Sequence, residues 1–169
     1  MEKLYVIKIG GNVIDDPQLL SKFLEDFSAL RGDKILVHGG GKLATDLANS
    51  LGIKQTLIEG RRITDAETLN IAVMVYAGLI NKMLVAKLQA LQCNAMGFCG
   101  ADGNLITSKK RIHPEIDFGF VGDIAERGID AKQFEHLLSG GIVPVISPIT
   151  HDASGNLLNT NADSMATAI

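Results

Sequence analysis

The chain has no excess of positive charge, few residues that commonly hold metals, and no long unbroken apolar run. Its formal net charge of −3 removes the electrostatic case for binding nucleic acid or an anionic membrane surface. Any anion it binds must therefore be held by local donors. Cysteine is scarce: Cys93 and Cys99 lie close together in an apolar stretch, at a spacing that matches no common metal motif. They read as reduced, buried thiols. The four histidines, His38, His113, His136 and His151, are scattered, so no protein-bound metal is expected. No apolar run is read as long enough to span a bilayer. Met1-Glu2-Lys3 leads straight into a strand containing Lys8, which is not the pattern of a secretory signal. A soluble, cytoplasmic protein is the expectation.

What is present is enough for a core. With 169 residues, 46% hydrophobic and 21% charged, the chain fits one domain or one lobe of a larger protein. The central stretch is Lys34-Ile35-Leu36-Val37-His38-Gly39-Gly40-Gly41-Lys42: a buried strand, a glycine turn and the start of a helix. Glycines let an anionic group approach backbone N–H donors closely, and a helix start adds its positive dipole end. A ligand-free tight turn is the other reading of the same residues. An earlier strand, Leu4 to Ile9, carries one charge, Lys8, just before Gly10-Gly11-Asn12. That puts a lysine at the carboxyl end of a buried strand, where α/β proteins bind ligands, unless it only reaches out to solvent.

Asp16-Pro17 opens a helix whose apolar face runs from Leu19 to Leu30, and residues 42–51 form a second. Gly60-Arg61-Arg62-Ile63-Thr64 is a polar, doubly basic connection. Thr64 and Glu67 fit a capping box opening a long helix to about Leu91, with Gly78 as the candidate for a kink. That helix is apolar on more than one face and needs cover on both, either within its own domain or from a second copy; a homodimer through residues 65–91 is expected. Strands follow at Ala95–Cys99 and Ile142–Ile146, the second carrying Pro144, which removes one ladder donor. Between them, 104–124 reads as a hairpin or lid and Ala131–Leu138 as a helix. The chain stops inside a helix that Asn161 or Asp163 could cap, and so reads as a fragment. Alternating strands and helices predict an α/β fold, a mainly parallel sheet sandwiched by helices.

Two nucleotide motifs are tested and found wanting. The strict G-x-G-x-x-G is absent, although Gly39-x-Gly41-x-x-Ala44 fits a looser form with Glu59 near the ribose-acid distance. Gly41-Lys42-Leu43 lacks the upstream glycine and the hydroxyl residue of a P-loop.

Taken together, Lys8-Ile9-Gly10-Gly11, His38-Gly39-Gly40-Gly41, Gly60-Arg61-Arg62-Ile63-Thr64 and Asn159-Thr160-Asn161-Ala162-Asp163 resemble the acetylglutamate kinases, of the amino acid kinase superfamily. The resemblance covers the whole chain in order. It implies the amino acid kinase fold, truncated before the nucleotide-binding half, with residues 1–169 as an N-terminal acylglutamate-binding and dimerisation lobe. It implies transfer of the γ-phosphoryl group of ATP, with Mg2+ as its companion, to the γ-carboxylate of an N-acyl-L-glutamate in arginine biosynthesis. Lys8 would stabilise the phosphoryl group, and Gly10, Gly11, Gly40 and Gly41 would line the site with amides. Arg62 would hold the α-carboxylate, Asn159 would bind the acylglutamate, and Asp163 would orient Lys8. A second lysine of the family pattern lies beyond this chain, so the 169 residues alone are expected to be impaired in catalysis. Two alternatives stand beside this: a non-catalytic binding and dimerisation module, and an amino acid kinase acting on a different carboxylate or carbamate.

Overall fold

Strands β1 (Tyr5–Ile9) and β2 (Lys34–His38) lie side by side and parallel in the computed structural model, which describes residues 3–58 and 60–169. With β8 (Val143–Ile146) and β5 (Ala95–Phe98) they form a four-stranded sheet in the order β1-β2-β8-β5, parallel throughout. Strand β2 is buried along its whole length, and its side chains alternate between two cores. Leu36 belongs with Leu24 and Leu84 on one side, while Ile35 and Val37 belong with Phe134 and Met165 on the other. Each such fully buried leucine contributes about 1.5–3 kcal/mol. The expected sheet sandwiched by helices is therefore present. Helices α2 (Pro17–Ala29), α3 (Gly41–Ser50) and the long helix cover one face, and α6 (Ala131–Ser139) and α7 (Ala162–Ala168) the other. Pro144 keeps its place in β8 because the ladder to β2 begins only at Val145.

Helix α2 starts as its sequence suggests: Asp16 accepts hydrogen bonds from the N–H groups of Gln18 and Leu19 at 2.9 and 3.0 Å. Its end is held by a buried cation. Lys34 Nζ donates to the carbonyls of Phe27, Ser28 and Leu30 at 2.9, 2.9 and 2.6 Å, where the helix leaves acceptors unpaired. Lys34→Met keeps the apolar stem and removes those bonds. It is expected to cost about 2 kcal/mol, a drop in melting temperature of about 4–8 °C. An unchanged melting curve would show that the three bonds contribute nothing net.

The long helix, Ala66–Ala90, differs from expectation in three ways. Asp65, not Thr64, is the N-cap, accepting from the Thr68 N–H at 2.8 Å. Thr64 is drawn instead into a bridge with Gly119, and its hydroxyl donates to the Arg62 carbonyl. Gly78 falls within an irregular stretch of the helix. The stretch between α4 (Ala66–Ala72) and α5 (Asn81–Ala90) is π-helical, Val73–Ile80. The helix is also long and apolar enough, by length and composition, to cross a membrane, because its polar residues are too few to offset the apolar ones. Here it covers the sheet, burying Ile80, Leu84 and Leu88 and leaving Met74 and Leu79 exposed. Asn81 is accommodated because its Nδ2 donates to the Val145 carbonyl at 2.9 Å and meets His38 Nε2 at 3.2 Å.

The 104–124 region is a hairpin, as expected, but one built into a barrel wall. Strands β6 (Ile106–Lys110) and β7 (Val121–Ile129) pair antiparallel, and β9 (Ile149–His151) and β10 (Leu157–Thr160) close the ring. The doubly basic connection is itself a small hairpin, β3 (Leu57–Ile58) with β4 (Arg61–Arg62).

Candidate active site

The carboxyl ends of β1 and β2 open into a cavity of about 230 Å³, where Lys8, Gly10, Gly11, Gly40, Gly41, Arg62, Asn159 and Asp163 all meet. Every site residue singled out in the sequence thus lines one space. Three helices start there: α1 (Gly11–Ile14), α3 and α7. The N-caps of the first two are Gly10 and Gly40, which line the cavity and carry no side-chain cap, so these helix starts lack the usual side-chain acceptor. Gly40 sits at φ +144°, where side chains are strained, and a Cβ added there would collide with Ile80 Cδ1.

Lys8 Nζ lies 2.9 Å from Asp163 Oδ1 in the first turn of α7, a helix position that favours a carboxylate. Asp163 is 71% exposed, so the pair is worth only about 0–1 kcal/mol of stability. Arg62 is buried and well held. Its Nη2 donates to the Gly41 carbonyl at 2.9 Å and to Thr45 Oγ1 at 2.8 Å, and its Nη1 donates to Gln55 Oε1. Asn159 Nδ2 donates to Thr64 Oγ1 at 3.1 Å. Arg61 reaches the same cavity and lies 3.5 Å from Asp123, itself gripped by Arg111 at 2.8 and 2.9 Å.

The charge balance favours an anion. Lys8, Arg61 and Arg62 stand against the single carboxylate of Asp163 among the described lining residues. His38 does not add to this charge. Burial pushes its imidazole down to about 4, and Nδ1 shares a hydrogen bond with the Gly39 carbonyl at 2.9 Å. Tyr76 also lines the cavity; burial raises its hydroxyl, against the opposing charge and N–H donors of Arg62. Glu59, the ribose-acid candidate, lies outside the described residues.

Sequence reasoning missed Arg61, Tyr76, Thr45 and Gln55 as parts of the site. Thr45 had a signal, since it sits one helical turn after Gly41. Tyr76 had none beyond its place with Ile80 on one apolar helix face, which reads equally well as core; both approach Gly40.

Fold and cavity together define an α/β protein with a mainly cationic cavity where a parallel sheet meets glycine turns and helix starts. The chain belongs to the amino acid kinase family, whose model matches residues 3–169. It is 55% identical over 170 residues to an acetylglutamate kinase of Cytophaga hutchinsonii, a match covering all of this chain and 64% of that protein. It is 54% identical to an acetylglutamate kinase of Parabacteroides distasonis, covering 98% of this chain and 64% of that one. The chain thus spans under two thirds of the length of these relatives. Among solved structures, an N-acetylglutamate synthase from Neisseria gonorrhoeae complexed with coenzyme A and N-acetyl-glutamate has the same fold, with a TM-score of 0.82. That similarity, at 22% identity, covers 98% of this chain and 38% of the synthase.

Proposed function

We propose that the protein transfers the γ-phosphoryl group of ATP to the γ-carboxylate of an N-acyl-L-glutamate, as part of arginine biosynthesis. The observation that carries this reading is the convergence of Lys8, two uncapped glycine helix starts, Arg62 and Asn159 on one cavity. A γ-carboxylate ordinarily titrates at a pH of about 4.3 and is ionised near neutrality, so it attacks without a general base. One of its oxygens bonds to phosphorus while the bond to the bridging oxygen breaks, and ADP leaves with the electron pair. The barrier comes from bringing two anions together, which positioning, positive charge and N–H donors lower.

In this reading Lys8 stabilises the phosphoryl group in flight, aimed by Asp163. The amides of Gly10, Gly11, Gly40 and Gly41 line the path, Arg62 holds the α-carboxylate, and Asn159 fixes the substrate. Residues 1–169 bind the acylglutamate, most of the ATP is held elsewhere in the enzyme, and Mg2+ enters with ATP. A second copy covers the exposed Met74 and Leu79 of the long helix, forming a homodimer, and the enzyme works in the cytoplasm.

Calorimetric titration with N-acetyl-L-glutamate, against unacylated L-glutamate, tests the assignment. Selective binding of the acylated compound supports it. Failure of this chain and of a chain of the relatives' full length to bind would favour a different carboxylate or carbamate substrate. In the full-length protein, Arg62→Lys is expected to weaken substrate binding about tenfold or more, since one ammonium cannot replace a planar fork. Equal affinity would reject the α-carboxylate role.

A further inference from the structure

Arg62 does not wait for its ligand as a free side chain. Its two terminal nitrogens are anchored separately, Nη1 to Gln55 and Nη2 to both Thr45 and the Gly41 carbonyl. Thr45 completes a closed triangle, because its Oγ1 also lies 2.8 Å from the Gly41 carbonyl. The directions in this triangle follow from chemistry. A guanidinium only donates and a carbonyl only accepts, so Arg62 must donate to Thr45 and the Thr45 hydroxyl must donate to Gly41. One hydroxyl therefore joins the cation to the turn that starts α3.

We propose that Thr45 is a positioning residue which, with Gln55, sets the plane of the Arg62 guanidinium and ties it to the Gly39–Gly41 turn, so that a substrate carboxylate meets the remaining N–H donors, on Nε and Nη1, already aligned. This rests on the reading of Arg62 as the carboxylate-binding residue. Two anchors hold a planar group in one orientation before the ligand arrives, which reduces the ordering cost of binding. They also couple the carboxylate position to Gly40 and Gly41, which line the same cavity.

Thr45→Val tests this, since valine keeps the shape and the helix preference and deletes only the hydroxyl. In the full-length protein, Thr45→Val is expected to raise KM for the acylglutamate on the order of tenfold, the size of one hydrogen bond to a charged group. Its kcat stays within about twofold, and Thr45→Ser, which restores the hydroxyl, returns KM to near the parent value. A general disturbance of α3 would lower kcat as well and would not be rescued by serine; either result overturns the proposal. An unchanged KM in Thr45→Val, with a raised KM in Arg62→Lys, also overturns it while leaving the Arg62 role intact. Unchanged values in both variants would remove the Arg62 role and the proposal together.

Discussion

Lys8→Ala in the full-length protein is expected to lower kcat about 100- to 1,000-fold while KM for the acylglutamate changes little. The range is that of removing one preorganised donor from a charge that develops in the transition state. Lys8 is well placed to act this way. It sits near the end of a sheet strand, reaches the cavity where Gly10 and Gly11 begin α1, and is held at 2.9 Å by Asp163. In the proposed reaction Lys8 is assigned to the phosphoryl group and has no assigned contact with the α-carboxylate end of the substrate. Its loss should therefore appear in kcat and not in ground-state affinity. Stability offers the control. The Lys8–Asp163 pair is exposed on one side and contributes about 0–1 kcal/mol, so the melting temperature should move by no more than about 4 °C. Steady-state kinetics with a parallel melt separate the two effects. Unchanged turnover in a folded variant would remove Lys8 from the mechanism.

Much of this site was legible because its parts are backbone-driven. Glycine pairs after buried strands announce a close approach, and a lysine at a strand's carboxyl end has few other uses. The parallel sheet could be read from β1 and β2, whose apolar runs fit strands covered on both faces. The barrel could not, since β9 and β10 are only three and four residues long and make sense only through partners distant in sequence. Thr64 misled for a related reason. As a local signal it caps a helix, but its hydroxyl is claimed by Arg62 and its backbone by Phe118 and Phe120, contacts that sequence spacing does not reveal. Tyr76 was hidden because an aromatic on an apolar helix face reads as core. Thus the glycine turns and the motif residues of the cavity were readable, while Arg61, Tyr76 and the side chains that hold Arg62 in place depended on tertiary packing.

Gly40 is where fold and chemistry constrain the same atom, and Gly40→Ala is expected to destabilise the protein by about 3 kcal/mol or more. Two costs combine. At φ +144° an L-residue is strained by about 1–3 kcal/mol, and overpacking adds a further 1–3 kcal/mol. The overpacking has a named partner: the new methyl would collide with Ile80 Cδ1, and Ile80 is fully buried on the sheet-covering helix, with no room to withdraw. Ile80→Val removes that one carbon, after which the nearest Ile80 atom is Cγ1 at an ordinary 3.5 Å. Alone, Ile80→Val should cost about 0.5–1.5 kcal/mol. Combined with Gly40→Ala it should recover at least about 1 kcal/mol relative to the sum of the two single changes, as residues in direct contact do. Denaturant unfolding of the parent, both single variants and the double variant gives this coupling directly. Simple additivity would mean that Ile80 does not dictate glycine at position 40, and that backbone conformation alone does. Positive coupling would show that the long helix shapes the turn on which Gly40 and Gly41 present their amides.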